Sequence, residues 1–205
     1  MKVISATTEI LGNVNGIELL KSIETAGRTC YKSEDKITDD SCVDFVRRLI
    51  KSGHEAMIEH ASITVKFICD RGVTHEIVRH RIASYAQEST RYCNYSKDKF
   101  DNGITFIKPL FFEGEKLKAW EEAMAFAEKQ YLGLIEMGAT AQEARSVLPN
   151  STKTEIIVTM NLREWRHFFK LRTSKVAHPQ MIEVAVPLLQ EMKKLVPVVF
   201  EDIVV

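Results

Sequence analysis

Residues 62–69 place the tightest constraint on the fold: Ile63, Val65, Phe67 and Cys69 alternate with Ser62, Thr64 and Lys66. A period of two puts successive side chains on opposite faces, so this segment is predicted to be a strand with one face against a core. Residues 154–160, β-branched and apolar, predict a second strand. Shorter strands are expected at 2–8 and 104–107. Helical patterns fill much of the remainder. Asn15 is placed to cap a helix running to about Thr29, and residues 39–51 carry Val43, Val46, Leu49 and Ile50 on one stripe. Further helices are expected at 73–81, 114–137, 141–147 (stopped by Pro149) and 162–171. The stretch after Pro179 is helical by pattern, with kinks or breaks expected at Pro187 and Pro197. Residues 83–95 are small, polar and aperiodic, and are predicted to be a loop. The expectation is an α+β fold, an antiparallel sheet flanked by helices, with residues 1–205 forming a single domain.

A chain of 205 residues with 45% apolar and 27% charged residues has the composition of a folded domain with a real core. Lys and Arg total 28, as do Asp and Glu, so no global field draws the chain to nucleic acid or to a membrane surface. Any anion must be bound by a local cluster. No apolar run approaches a membrane span, and the first ten residues lack a signal-peptide layout. The four cysteines (Cys30, Cys42, Cys69, Cys93) form no CxxC pair, which suits free thiols in a reducing cytoplasm.

The local cluster exists. Four of the six histidines lie between 54 and 80, and eight of the eleven arginines between 71 and 172. The densest stretch runs Arg79-His80-Arg81-Ile82-Ala83-Ser84-Tyr85-Ala86-Gln87-Glu88-Ser89-Thr90-Arg91-Tyr92. Guanidinium groups fork onto phosphate with two parallel hydrogen bonds, and small residues let backbone N–H groups approach a ligand closely.

These residues carry a resemblance. RHR-x-x-S with the following S-x-R resembles the signature of the flavin-dependent thymidylate synthases. Upstream, His54-Glu55-Ala56-Met57-Ile58-Glu59-His60 is similar to that family's H-x-x-x-x-E-H segment. Downstream, Ala144-Arg145-Ser146-Val147-Leu148-Pro149 is similar to its A-R-x-x-L-P segment. Residues 161–172 are similar to its N-x-R-x-x-x-x-F-x-x-L-R helix. One RHR is weak; four motifs in order are specific.

The resemblance implies FAD as cofactor, dUMP as substrate, and NADPH and 5,10-methylenetetrahydrofolate as co-substrates, meeting between subunits of a homotetramer. Arg79, His80 and Arg81 would hold flavin, with Arg79 also reaching dUMP. Asn161, Arg163, His167, Gln87 and the backbone of Ala56 would also contact FAD. Glu76, Gln87, Glu88, Ser89, Thr90, Arg91 and Arg145 would surround dUMP, with Ser89 and Arg91 near its phosphate. Arg172 matches the arginine at the uracil edge, and His54 a histidine near flavin and folate; with Ser89 these form the implied catalytic set. Gln87 stands where many members have Glu, which leaves hydrogen bonding without a carboxylate. His167 stands where some have Asn.

The residue types suit the chemistry. Uracil C5 is a poor nucleophile. Covalent attack at C6 by cysteine needs an activated thiolate, and the chain has no Pro-Cys-His segment. Cys93 is the only cysteine beside the main motif and reads as a small packing residue. The other remedy is electrostatic: a guanidinium at the uracil edge stabilises negative charge on N3 and O4. On an ideal helix Asn161 and Arg172 stand about 16 Å apart, so the two ends can serve different ligands, while Arg163 and His167 share a face.

Two rival classes fit less well. A metal centre built from the histidines with Glu55, Glu59 and Glu76 matches no HExxH spacing, and RHR would set cations beside a cation. A nucleic-acid-binding module using Tyr85, Tyr92 and Tyr95 would need a basic stripe that a neutral chain lacks. No G-x-G-x-x-G or Walker A motif is present. His60, His75, Trp120, Trp165, Phe168 and Phe169 read as packing residues, and the charges of 114–129 as a solvated helix face.

Overall fold

The alternation at 62–69 does become a buried-face strand. In the computed structural model, which describes residues 1–205, Ile63, Val65, Phe67 and Cys69 are almost wholly buried while the residues between them face outward. In chain order the elements are β1 (Lys2–Ile4), β2 (Thr7–Leu11), α1 (Gly16–Thr29), α2 (Ser41–Lys51), β3 (Ser62–Asp70), α3 (Arg71–Ile77) and β4 (Ala83–Gln87). They continue with β5 (Thr105–Ile107), α4 (Gly114–Glu136), α5 (Ala141–Ala144), β6 (Lys153–Asn161), α6 (Leu162–Arg172), α7 (Pro179–Leu195) and α8 (Pro197–Phe200). A four-stranded sheet has the order β2-β3-β6-β4. The β3–β6 pairing is antiparallel: Leu162 N–H donates to Ala61 C=O at 2.9 Å, the Thr64 and Thr159 hydroxyls meet at 2.9 Å, and Arg71 N–H donates to Asn150 C=O at 2.9 Å. The fold class is therefore α+β, with helices beside an antiparallel sheet. No helix is long and apolar enough to cross a membrane.

The chain forms two compact units. One comprises Met1–Thr7, Phe67–Arg79 and Ala86–Ile156; the other comprises Thr8–Lys66, His80–Tyr85 and Ile157–Val205. In the first, α4 lays Trp120, Met124 and Tyr131 over Tyr95, Ile104, Phe106 and Ala144. In the second, Trp165, Phe168 and Phe169 of α6 form a buried aromatic stack that reaches Phe200. The Trp165 indole N–H donates to Ile63 C=O at 3.0 Å, so the large ring is buried without an orphaned donor. Each fully buried side chain of this kind stabilises the fold by roughly 1.5–3 kcal/mol. Asn15 caps α1 as expected, accepting from Ile17 N–H at 3.0 Å. A Cβ at Gly27 would stand 2.7 Å from the Phe45 ring, so the α1–α2 approach requires glycine there.

Several expectations are corrected. The predicted strand at 2–8 is two strands, and β1 pairs with β5 in parallel, Val3 opposite Phe106, so not every pairing is antiparallel. The predicted loop at 83–95 opens with strand β4, an end strand of the sheet. Its side chains are exposed or half-buried, so no apolar alternation marks it. The helix predicted at 73–81 starts earlier, because Asp70 accepts from Val73 N–H at 2.8 Å, and it stops at Ile77. Arg79, His80 and Arg81 thus lie outside the helix, with only His80 buried. Pro187 does not break α7; a lost backbone hydrogen bond is outweighed by seven buried residues along that helix. The break expected at Pro197 is present: α7 ends at Leu195 and Pro197 opens α8.

Candidate active site

The unit containing α6 gathers one set of site residues. Asn161 caps α6 by accepting from Glu164 N–H at 2.9 Å, which fixes where the helix starts. Trp165, Phe168 and Phe169 then take the buried face, and Arg163, His167 and Lys170 the exposed one. With Glu55, Glu59 and Ile82 they line a cleft of about 440 Å³. The carboxylates come from a tight turn at Glu55–His60. Arg163 pairs with Glu59 at 2.6 Å, half-exposed. Arg166, three residues on, is 2% exposed and holds Glu55 at 3.2 Å and both Asp202 oxygens at 2.6 and 2.8 Å. The cation excess read from the sequence is therefore partly neutralised, and Arg166 is structural.

His80 is buried against α6. Its Nδ1 is 3.1 Å from Glu164 Oε1, and its Nε2 is 3.1 Å from Arg172 Nε. The ring packs edge-on against His167 and Phe168. Burial, then the Arg172 guanidinium and His167, push its pKa down to about 4, so the imidazole is neutral near pH 7. The contact with Glu164 is a hydrogen bond between a neutral ring and a carboxyl group rather than an ion pair. His80, Glu164 and His167 lie close enough together to suggest a metal triad. Both His80 nitrogens are already engaged, however, one of them by a guanidinium, so that donor set does not suit a cation. The Tyr85 hydroxyl donates to His80 C=O, and burial followed by the Glu164 carboxylate pushes its pKa up to about 12. Arg81 is exposed beside this cluster in the chain.

His54 and Ala56 belong to the same unit but line a different, apolar cleft of about 360 Å³ with Phe45, Leu49 and Met57. They are not brought to the α6 cleft.

The other unit gathers the second set. Gln87, at the end of β4, donates its amide to Thr74 Oγ1 at 3.0 Å and Thr154 Oγ1 at 3.4 Å. Arg71 reaches the same Thr154 hydroxyl at 3.5 Å. Ser89 closes a tight turn, accepting through its carbonyl from Tyr92 and Cys93 N–H and through its hydroxyl from Arg91 N–H at 3.3 Å. Arg145 follows α5 and reaches the buried Thr90 hydroxyl at 3.5 Å, while Arg91 lies over the Tyr92 ring. Arg91 and Arg145 are exposed, and neither is paired with a carboxylate. Glu88 points into a separate arrangement: it accepts from the Tyr95 hydroxyl at 2.8 Å and pairs with Lys153 at 3.1 Å. Glu76 lies near the end of α3, and its carbonyl accepts from Arg79 N–H.

Sequence reasoning missed Glu164 and the two residues that fix Gln87. Thr74 and Thr154 sit on buried faces of a helix and a strand, where a hydroxyl has no pattern of its own. The Cys93 thiol packs beside Tyr95, and burial, then Glu88, push its pKa up, the reverse of an activated thiolate. Cys93→Ala is expected to keep kcat within about threefold of the parent; a folded but inactive variant would restore thiol catalysis.

Comparison with known proteins identifies the family of the chain. The family model described as "Thymidylate synthase complementing protein" matches residues 17–198. The flavin-dependent thymidylate synthase of Pyrococcus furiosus is 37% identical over 169 residues, covering 82% of this chain and 69% of that protein. The enzyme of the same name from Geobacter sulfurreducens is 35% identical over 188 residues, covering 88% and 80%. Among solved structures, the UMP/dUMP methylase PolB from Streptomyces cacaoi bound with 5-Br dUMP superposes with a TM-score of 0.80 at 26% identity, covering 98% of this chain and 96% of that one. With the ordered motifs at 54–60, 79–91, 144–149 and 161–172, these matches make the chain a member of the flavin-dependent thymidylate synthase family.

Proposed function

We propose that the chain catalyses reductive methylation of dUMP to dTMP, with methylenetetrahydrofolate as carbon donor, NADPH as reductant and bound FAD, its two units working as one domain within a cytoplasmic homotetramer with shared sites. The observation that carries the substrate is the Ser89–Arg91 turn with Arg145 beside Thr90. Hydroxyls and two guanidiniums without carboxylate partners make a site for a phosphate dianion. The 5-Br dUMP bound by PolB supports a pyrimidine nucleotide.

Arg91, Arg145 and Ser89 bind the phosphate, and Gln87, Glu76, Arg79 and Thr90 orient the nucleotide. Glu88, tied to Tyr95 and Lys153, acts through the backbone of that turn. The donor set of the α6 cleft fits a flavin: the Asn161 amide, the Arg163 guanidinium and the His167 ring share one wall, a mixture suited to a ring edge and a diphosphate. His80 and Arg81, of the same unit, complete that set, while Arg79, the Ala56 backbone and His54 contact the flavin from outside that cleft, His54 also meeting folate. When bound, the flavin supplies the hydride that completes the methyl group. Arg172 stabilises negative charge at uracil N3 and O4 and so raises electron density at C5, with no cysteine nucleophile.

Purified protein is expected to show a flavin visible spectrum after incubation with FAD, and to release tritium from C5-labelled dUMP when given folate and NADPH. Absence of flavin uptake, or turnover of UMP alone, would overturn this reading.

A further inference from the structure

We propose that Glu164 is a positioning residue: by accepting the Nδ1 proton of His80, it holds that imidazole in the one tautomer whose Nε2 can receive the Nε–H of Arg172. The inference rests on the reading above only in giving Arg172 its role at the uracil.

A guanidinium only donates, so an Arg172 Nε 3.1 Å from His80 Nε2 requires a lone pair on that nitrogen. A neutral imidazole carries one N–H, which must then sit on Nδ1. The Glu164 Oε1 atom lies 3.1 Å from Nδ1. His80 is 3% exposed and Glu164 8%, so water cannot readily replace either partner, and an unsatisfied buried donor costs about 1–3 kcal/mol. The alternative tautomer would set two N–H groups against each other at Arg172 and leave Nδ1 facing Glu164 without a proton.

Helix geometry explains why these residues meet. Glu164, Phe168 and Arg172 stand at i, i+4 and i+8 on α6, one stripe spanning about 12 Å along the axis. The His80 ring lies edge-on to Phe168, in the middle of that stripe, with centroids 5.1 Å apart. One nitrogen reaches up the helix and the other down it. Glu164 is itself fixed by its place in the first turn, where its N–H is capped by Asn161. Helix start, acceptor, imidazole and guanidinium thus form one connected path, and a rotation of the ring would break the His80–Arg172 hydrogen bond.

The test compares wild type, Glu164→Gln and Glu164→Ala. The ring nitrogens of His80 are read by 15N NMR in substrate-free protein near pH 7, with the signal identified by its loss in His80→Gln. Wild type is expected to show a protonated Nδ1 and a bare Nε2. Glu164→Gln, whose amide oxygen still accepts, should keep that pattern and at least about a third of kcat. Glu164→Ala should show mixed tautomers and a kcat lower by about 10- to 100-fold, with KM for dUMP changed less. A wild-type ring protonated on Nε2 overturns the proposal, as does a folded Glu164→Ala protein with unchanged tautomer and kcat, or a Glu164→Gln protein as impaired as Glu164→Ala. If Glu164→Ala does not fold, the wild-type and Glu164→Gln spectra decide. The NMR readout needs no substrate, so it stands or falls separately from the assignment of dUMP.

Discussion

Arg172→Ala is expected to fold and to lose about 10²- to 10³-fold in kcat, the range found when one preorganised donor to a developing anion is removed. The loss should fall on kcat and on kcat/KM alike, because the interaction strengthens as negative charge accumulates on the uracil. Phosphate binding, assigned to Ser89, Arg91 and Arg145, is untouched, so KM for dUMP should move little. Arg172 is the last residue of α6 and half-buried, so its removal costs a favourable charge at the helix C-terminus, about 0.3–1 kcal/mol, and leaves the buried His80 Nε2 without its donor, about 1–3 kcal/mol more. Arg172→Lys keeps the charge but loses the planar fork and the Nε–H that meets His80, and should fall between the two. Tritium release and thermal melting on the same preparations check this. A folded Arg172→Ala protein that keeps more than about a third of kcat would remove electrostatic activation of uracil from the mechanism.

The sequence revealed some of this design directly and hid the rest for physical reasons. Strand β3 was legible because one face is buried and the other is not, and only such a strand writes a period of two into its residues. Strand β4 has neither face fully buried, so its small polar residues read as a loop. The α6 helix was legible, yet its arginines were not distinguishable. Arg163 and Arg166 stand three residues apart with the same local pattern, but Arg163 is half-exposed and Arg166 is buried against Asp202, 36 residues later. Such partners are set by tertiary packing and leave no spacing to find. The same holds for His80: RHR marked it as a ligand contact, while its two hydrogen bonds to α6 lie 84 and 92 residues away. What could be read was which chemistry-bearing residue types cluster in the chain; what could not was which of them are occupied with one another.

That distinction yields the largest expected effect on stability, at Arg166. Its guanidinium donates to Glu55, to both oxygens of Asp202 and to Val199 C=O, with 2% of the side chain exposed. Arg166→Ala leaves two carboxylates and a carbonyl facing a cavity. Removing one partner of a buried ion pair costs about 3–5 kcal/mol, and the lower end applies here because Asp202 is half-exposed and can regain water. For a chain of this size, about 3 kcal/mol lowers Tm by roughly 6–12 °C. The effect has a pH signature. The Arg166 hydrogen bond holds the Asp202 carboxyl below its usual range of about 3.8. A folded pKa below the unfolded one contributes stability that is present above the unfolded value and is lost as pH falls through the lower, folded value. The Tm gap between wild type and Arg166→Ala should therefore be full at neutral pH and narrow below about pH 4, measured by thermal unfolding across that range. A pH-independent gap would mean that lost packing, not the Asp202 pair, sets the penalty. Because Glu55 also lines the α6 cleft, the same substitution removes its shortest ion pair and leaves it only Arg163 and Lys170 at 3.9 Å each, which should weaken flavin uptake at temperatures well below the new Tm.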